Sequence, residues 1–391
     1  MGFFNDIALS RKPLGGFIVI GIGWAAYFAQ MPVIKAGVDA SDGAYGIAVL
    51  WASLGAVAAM WLAPMAQVRA GRYAVPLAIV AISLGLLGAG IVPSLWSLAL
   101  MLLILSAGSG VVDVLINAEV AEIEARTGRA LMNLNHGLYS FAYAAMALLV
   151  GALRQDGWTP VQIFGAMLVL FAVLVWTTTG KIAPVTTHAD DLPDAKLPTM
   201  LIWLAGALVF FAFLTEAASE GWSALHIERG LGGSAQEGAL GPALLGLMMG
   251  VGRLSGHALA RFMVEGRLMI LACVITAAGL AGAALAQTVA MALLSFAIAG
   301  LGVSVLAPLT LALAGRAVPP HLRLAVISRV SVLGYAAFFA GPPLMGIIAQ
   351  GFSLSAAFMT VAVVIGLVAI TLVPLMARVS AASNAGTTRV I

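Results

Sequence analysis

The chain has 391 residues, of which 62% are hydrophobic and only 9% charged, with 44 glycines and 17 methionines. That balance lies far outside soluble globular proteins and argues against soluble enzyme chemistry. The net charge of +3 is scattered singly over polar turns, so no nucleic-acid surface is expected, and the single cysteine, Cys273, excludes a disulfide framework or a thiolate metal site.

Cutting the chain at charges, Pro/Gly clusters and polar turns leaves apolar runs near 15–37, 43–66, 74–93, 96–120, 131–153 and 160–180. A second set follows near 198–220, 238–260, 268–286, 288–315, 324–349 and 354–377. Each is close to the length a bilayer requires, which predicts an all-α, multi-pass membrane protein with twelve transmembrane helices. Arg11 and Lys12 precede the first run with no small-residue cleavage site after it, so it reads as a retained helix. With both termini in the cytoplasm, fourteen cations from Arg11 to Arg389 fall on the inner side and only Lys35, Arg154 and Arg229 on the outer side. This asymmetry fixes the expected orientation. The expected organisation is a six-helix bundle over 1–180, a cytoplasmic linker over 181–197, a second bundle over 198–377 and a flexible tail over 378–391.

The halves repeat. Asp42-Gly43 matches Glu237-Gly238, Gly55 matches Gly250 and Gly71-Arg72 matches Gly266-Arg267, all at an offset of 195. Gly108 and Gly110 match Gly300 and Gly302 at an offset of 192. Two pseudo-symmetric bundles of this kind form one transporter architecture, with its solute site between the halves near mid-membrane.

Ionisable groups at membrane depth are costly and mark solute or proton paths. Asp113 sits among Val111, Val112, Val114, Leu115 and Ile116, surroundings that disfavour the charged form of a carboxyl and suit it to trading protons. Asn117 is one turn on, placed to bind a solute hydroxyl or to fix the carboxyl; hydrogen bonding for helix packing alone is the competing reading. Glu216 and Glu220 share a face of the seventh run, Glu216 the deeper. Glu216 is a second candidate for proton coupling, while Glu220 either binds solute, gates the outer opening or is merely solvated. Asn135, His136 and Tyr139 gather at the start of the fifth run, where they either bind polar groups of the solute or satisfy a helix end. Tyr27 and Gln30, three apart in the first run, could line the same cavity. Arg329 either snorkels or closes an inner gate, and Gly341 and Pro342 mark a bend or close-packing site that lets the eleventh helix flex. No metal site is expected, because the five histidines lie on separate elements, and no cofactor is implied.

Four stretches, SDGAYG at 41–46, GSGVVDVLINAE at 108–119, TEAASEGWSAL at 215–225 and GYAAFFAGPPLMG at 334–346, carry a likeness over nearly the whole chain. The sequence resembles the major facilitator superfamily, in the branch of the YbjJ-type inner membrane proteins and the rhizopine transporter, with the fucose–proton symporter more distant. The family's loop after the second helix survives as Arg69-Ala70-Gly71-Arg72, with Pro64 and Val68 at its first Gly and its Asp positions. The resemblance implies gating roles for Arg69 and Arg72, but without the acidic latch. It also supports Asp113 and Asn117, which keep much of the symporter's Gly-x-Gly-x-x-x-x-Glu-x-x-x-Asn pattern. The expected protein is thus a proton-coupled transporter of a small polar solute, sugar or polyol favoured, in the bacterial inner membrane. It is expected to act as a monomer by alternating access. An efflux transporter of drugs or metabolites and a non-transporting receptor are the alternatives.

Overall fold

The computed structural model describes residues 3–129, 131–179, 198–259 and 263–387, so the expected linker over 181–197 lies outside the described residues. All regular elements among them are helical. A short α1 (Phe3–Leu9) precedes α2 (Arg11–Gly37), α3 (Asp42–Ala70), α4 (Ala74–Ala89), α5 (Leu95–Thr127), α6 (Met132–Gln155) and α7 (Pro160–Thr178). Then come α8 (Thr199–Leu225), α9 (Ala235–Leu259) and α10 (Glu265–Ala284). The last three spans are each broken in two. They are α11 and α12 (Val289–Val303, Leu306–Arg316), α13 and α14 (Pro320–Tyr335, Ala337–Gly351), and α15 and α16 (Leu354–Ile370, Leu372–Thr387).

Eleven helical stretches among the described residues are long and apolar enough to cross a membrane, and α9 completes the expected twelve. Large apolar side chains point outward, with Trp61 76%, Val169 71% and Ile370 71% exposed, a surface suited to lipid rather than water. Some polar side chains inside the spans bond back to their own helix. The hydroxyls of Thr215, Thr276 and Thr310 donate to the carbonyls four residues earlier at 2.7–2.8 Å, so the protons of these three do not face hydrocarbon. Alternate spans open on side-chain caps. Ser41, Ser94, Thr288 and Ser353 accept from the backbone N–H three residues on, and Ser234 and Glu237 cap α9 reciprocally.

The chain divides into two compact units, Met1–Thr187 with Ala224–Leu247, and His188–Ser223 with Met248–Ile391. The internal repeat is visible inside them as one contact made twice. A Cβ added at Gly108 of α5 would fall 2.8 Å from the Ala78 carbonyl and 3.0 Å from the Ile82 nitrogen of α4. A Cβ at Gly302 of α11 would meet the Ala272 carbonyl at 2.7 Å and the Thr276 nitrogen at 2.6 Å on α10. Gly85 against Leu105 and Gly279 against Ala299 repeat the pattern. All four correspondences share an offset of 194 (Gly108 to Gly302, Ala78 to Ala272, Gly85 to Gly279, Leu105 to Ala299), not the 192 read from glycines alone. The Gly-x-Gly spacing explains the slip, because a shift of two residues still lays glycine on glycine.

Candidate functional site

Asp113 and Asn117 lie together on α5, both half-buried. The Asn117 amide donates to Asp113 Oδ1 at 2.9 Å and to the Asp113 carbonyl at 2.8 Å. Asp113 Oδ2 takes no hydrogen bond among the described residues, so half of the carboxyl is held and half is open. One turn earlier on the same face, the Ser109 hydroxyl is buried with no partner among the described residues. The stretch is positioned from below by its glycines, Gly108 against α4 and Gly110 against Ala59 of α3, which let the α5 backbone approach both neighbours closely.

In the other unit Glu216 Oε1 stands 3.6 Å from Nη2 of Arg253 on α9, with side chains 23% and 34% exposed. Glu220, one turn beyond Glu216, is half-buried, and Trp222 is buried at 2% exposure. Arg253 therefore pairs with a carboxylate inside the bundle, where a cation alone would be costly. Phe213, Tyr335 and Phe338 form a triangular cluster beside this region of α8, with centroids 5.6–6.0 Å apart and planes within 30°.

The remaining expected residues scatter. Tyr27 is buried and its hydroxyl meets that of Tyr45 on α3 at 2.7 Å. Gln30, fully buried, donates to the Ala26 carbonyl at 3.3 Å and leaves its Oε1 without a partner among the described residues. Asn135, also fully buried, donates to the Leu131 carbonyl at 2.9 Å, a bond within its own helix start. His136 stands edge-on to Phe17 at 4.8 Å, and the Tyr139 ring packs against Gly21 of α2. Arg69 and Arg329 are exposed, and Arg72 donates to the hydroxyl of its neighbour Tyr73 at 2.7 Å. Gly341 and Pro342 are buried, with Gly341 facing Ala217 of α8, while the helix itself breaks at Ala336.

A charged cluster not singled out from the sequence joins α2, α3, α6 and the turn after α8. Lys35 Nζ lies 2.9 Å from Asp42 Oδ1, and Arg229 grips both oxygens of the same carboxylate. Arg154 makes a two-pronged bridge to Glu228, Nη1 to Oε1 at 2.7 Å and Nη2 to Oε2 at 2.9 Å, and donates to the Ala29 carbonyl at 2.5 Å. The SDGAYG stretch thus resolves into parts: Ser41 caps α3, Asp42 holds two cations and Tyr45 holds Tyr27. The available signal was charge balance, since the three cations assigned to one side sit beside acids of that side. At α1, Asp6 forms an ion pair with Arg129, and its carboxylate raises the guanidinium pKa above the usual value.

A family model described as Major Facilitator Superfamily matches residues 265–389. An uncharacterized MFS-type transporter of Yersinia pestis is 30% identical over 352 residues, 89% of this chain and 91% of its own. Membrane protein MosC of Rhizobium meliloti is 26% identical over 346 residues, 88% of this chain and 84% of its own. The crystal structure of a D-xylose-proton symporter superposes with a TM-score of 0.70 at 16% identity, covering 96% of this chain and 99% of that one.

Proposed function

The chain belongs to the major facilitator superfamily, and from that premise we propose that it carries a small polar solute, a sugar or polyol, across the bacterial inner membrane together with protons. The observation that carries this reading is the Asp113–Asn117 pair, a membrane-depth carboxyl with one oxygen fixed and the other open. Such a group exchanges a proton without losing its place. Asn117 orients the carboxyl and offers its amide to solute hydroxyls. Glu216, set against Arg253, is the second acid of the cycle, and Glu220, His136 and Tyr139 supply further polar contacts. Tyr27, Gln30 and Asn135 support these helices from buried positions, and Arg69, Arg72, Arg329, Gly341 and Pro342 serve the conformational change. The likeness to a D-xylose-proton symporter is in keeping with a hydroxylated solute. Both termini face the cytoplasm, the working form is a monomer, and residues 1–180 and 198–377 act as the two halves.

The test is uptake by proteoliposomes under an imposed proton gradient, with labelled sugars, polyols, amino acids and nucleosides as the panel. One polyol or sugar should accumulate with wild-type protein. Asp113→Asn should abolish gradient-driven accumulation, by at least tenfold, while leaving solute exchange across the membrane. Accumulation undiminished in that variant would remove Asp113 from coupling. The Phe213–Tyr335–Phe338 cluster favours a second reading, transport of a solute with a flat apolar face, for which lipophilic cations in the same panel are the probe.

A further inference from the structure

Several hydroxyls in these spans give their proton to a carbonyl one turn back. On α5 the Thr127 hydroxyl donates to the Ile123 carbonyl at 2.7 Å, on α4 Ser83 donates to Ile79 at 2.8 Å, and on α8 Ser219 donates to Thr215 at 2.8 Å. Ser109 of α5 has the Leu105 carbonyl at the same spacing and does not use it. The residue is 5% exposed, and its hydroxyl has no partner among the described residues. Ser223 of α8, fully buried, is the other serine of this kind. Each stands one turn from a candidate acid, Ser109 four residues before Asp113 and Ser223 three after Glu220. A polar group left unsatisfied inside a span is costly, so a hydroxyl withheld from its own helix points to a second partner.

Asp113 has the matching need. The Asn117 amide donates both to Asp113 Oδ1 and to the Asp113 carbonyl, and the second bond fixes which end of the amide faces the acid. An N–H cannot accept, so a proton taken up by the carboxyl belongs on Oδ2. There it needs an acceptor, and in the charged state the same oxygen needs a donor. Serine is both, because its O–H turns about one bond to offer either the proton or a lone pair.

The ionisable groups on the helices packed against α5 are placed elsewhere. Tyr27 of α2 meets Tyr45 of α3, Lys35 of α2 is paired with Asp42 of α3, and Arg154 of α6 with Glu228. His136, Tyr139 and Tyr143 of α6 lie against Phe17, Gly21 and Gly246, Arg11, Lys12 and Arg69 lie at helix ends, and α4 carries none. Glu119, Glu122 and Glu124 of α5 itself fall toward its C-terminal end.

We propose that the Ser109 hydroxyl is the partner of Asp113 Oδ2 in both of its states, donating to the carboxylate and accepting from the protonated carboxyl. On loading, a proton from water forms the O–H bond at Oδ2 and the serine hydroxyl turns from donor to acceptor; on release the proton returns to water and the hydroxyl turns back. Asn117 holds one oxygen throughout, and Ser109 follows the other. Ser109 is thus a positioning residue for the proton step. The proposal rests on the reading of Asp113 as the proton carrier and on no particular solute.

The test is infrared difference spectroscopy of the protein in lipid, between high and low pH. The C=O stretch of protonated Asp113 is the band lost in Asp113→Asn. A carboxyl deprived of a hydrogen bond has a stiffer C=O, so Ser109→Ala should move this band to higher frequency, while Ser109→Thr, which keeps the hydroxyl, should leave it in place. Ser223→Ala, on another helix, should leave it in place too, which separates a local bond from a general loosening of the fold. An Asp113 band unmoved in Ser109→Ala, or moved equally in Ser109→Thr and Ser223→Ala, would overturn the role of Ser109. Absence of any band that Asp113→Asn removes would overturn the reading of Asp113 itself, and the role of Ser109 with it.

Discussion

Tyr27 is a candidate side chain whose partner lies on another helix. Its hydroxyl is buried and partnered by Tyr45 at 2.7 Å. Tyr45→Phe leaves that hydroxyl without this partner, at an expected cost of about 1–3 kcal/mol, whereas Tyr27→Phe with Tyr45→Phe removes both groups and should be nearly neutral. Thermal unfolding in detergent measures both. A solute ligand at Tyr27 would instead show as lost binding in the Tyr27→Phe protein with little change in stability. The same residues show what sequence spacing can reveal. Asp113 and Asn117 are four apart on one helix, and that local rule puts them in contact. Tyr27 and Gln30 share a face by the same rule, yet Tyr27's partner is eighteen positions away on α3. Arg154 and Glu228 are 74 positions apart, beyond any helical periodicity.

At the scale of elements, the glycines are the determinants most easily mistaken. Those of α5 and α11 are packing surfaces: Gly302 has the Ala272 carbonyl and Thr276 nitrogen of α10 within 2.7 Å of where a Cβ would stand. Backbone atoms cannot swing aside as a side-chain tip can, so Gly302→Ala should force α10 and α11 apart and destabilise by about 1–3 kcal/mol. Gly165 of α7 has no neighbour within 4 Å of its added Cβ. There alanine should be neutral or stabilising by up to about 1 kcal/mol, since it lowers the entropy lost in forming the helix. Comparing the two melting curves separates close packing from mere abundance of glycine. The apolar runs foretold the spans because bilayer thickness constrains length directly. They did not foretell the breaks at Ser304–Val305, Ala336 and Thr371, each inside an unbroken apolar run. Pro342 drew attention to the eleventh span, but the interruption lies six residues earlier. The proline ring crowds the carbonyl four residues back, at Phe338, in the first turn of α14, so the chain yields on the N-terminal side.

For the whole molecule, orientation follows from charges that the spans leave at their ends. Fourteen cations were assigned to one face and three to the other, and all three of the minority, Lys35, Arg154 and Arg229, are ion-paired. The face with few cations therefore has none of those three free to interact with lipid headgroups, in keeping with the proposal that the opposite face is the cytoplasmic one. A reporter enzyme active only outside the cytoplasm should be silent when fused after Arg378 and active when inserted at Gly157, between α6 and α7. The reverse pattern would invert the orientation.

The sharing of α8 and α9 between the two compact units also bears on how the protein comes into being. During synthesis residues 1–187 emerge first, but the unit they found lacks 224–247 until the eighth span has been made. The first six helices thus wait, with the α6 face of Gly151 and the Arg154 guanidinium uncovered, for a piece of the second half to arrive. A chain severed between α7 and α8 would yield fragments that are each incomplete, and whose assembly would be a reconstitution rather than a docking of finished domains.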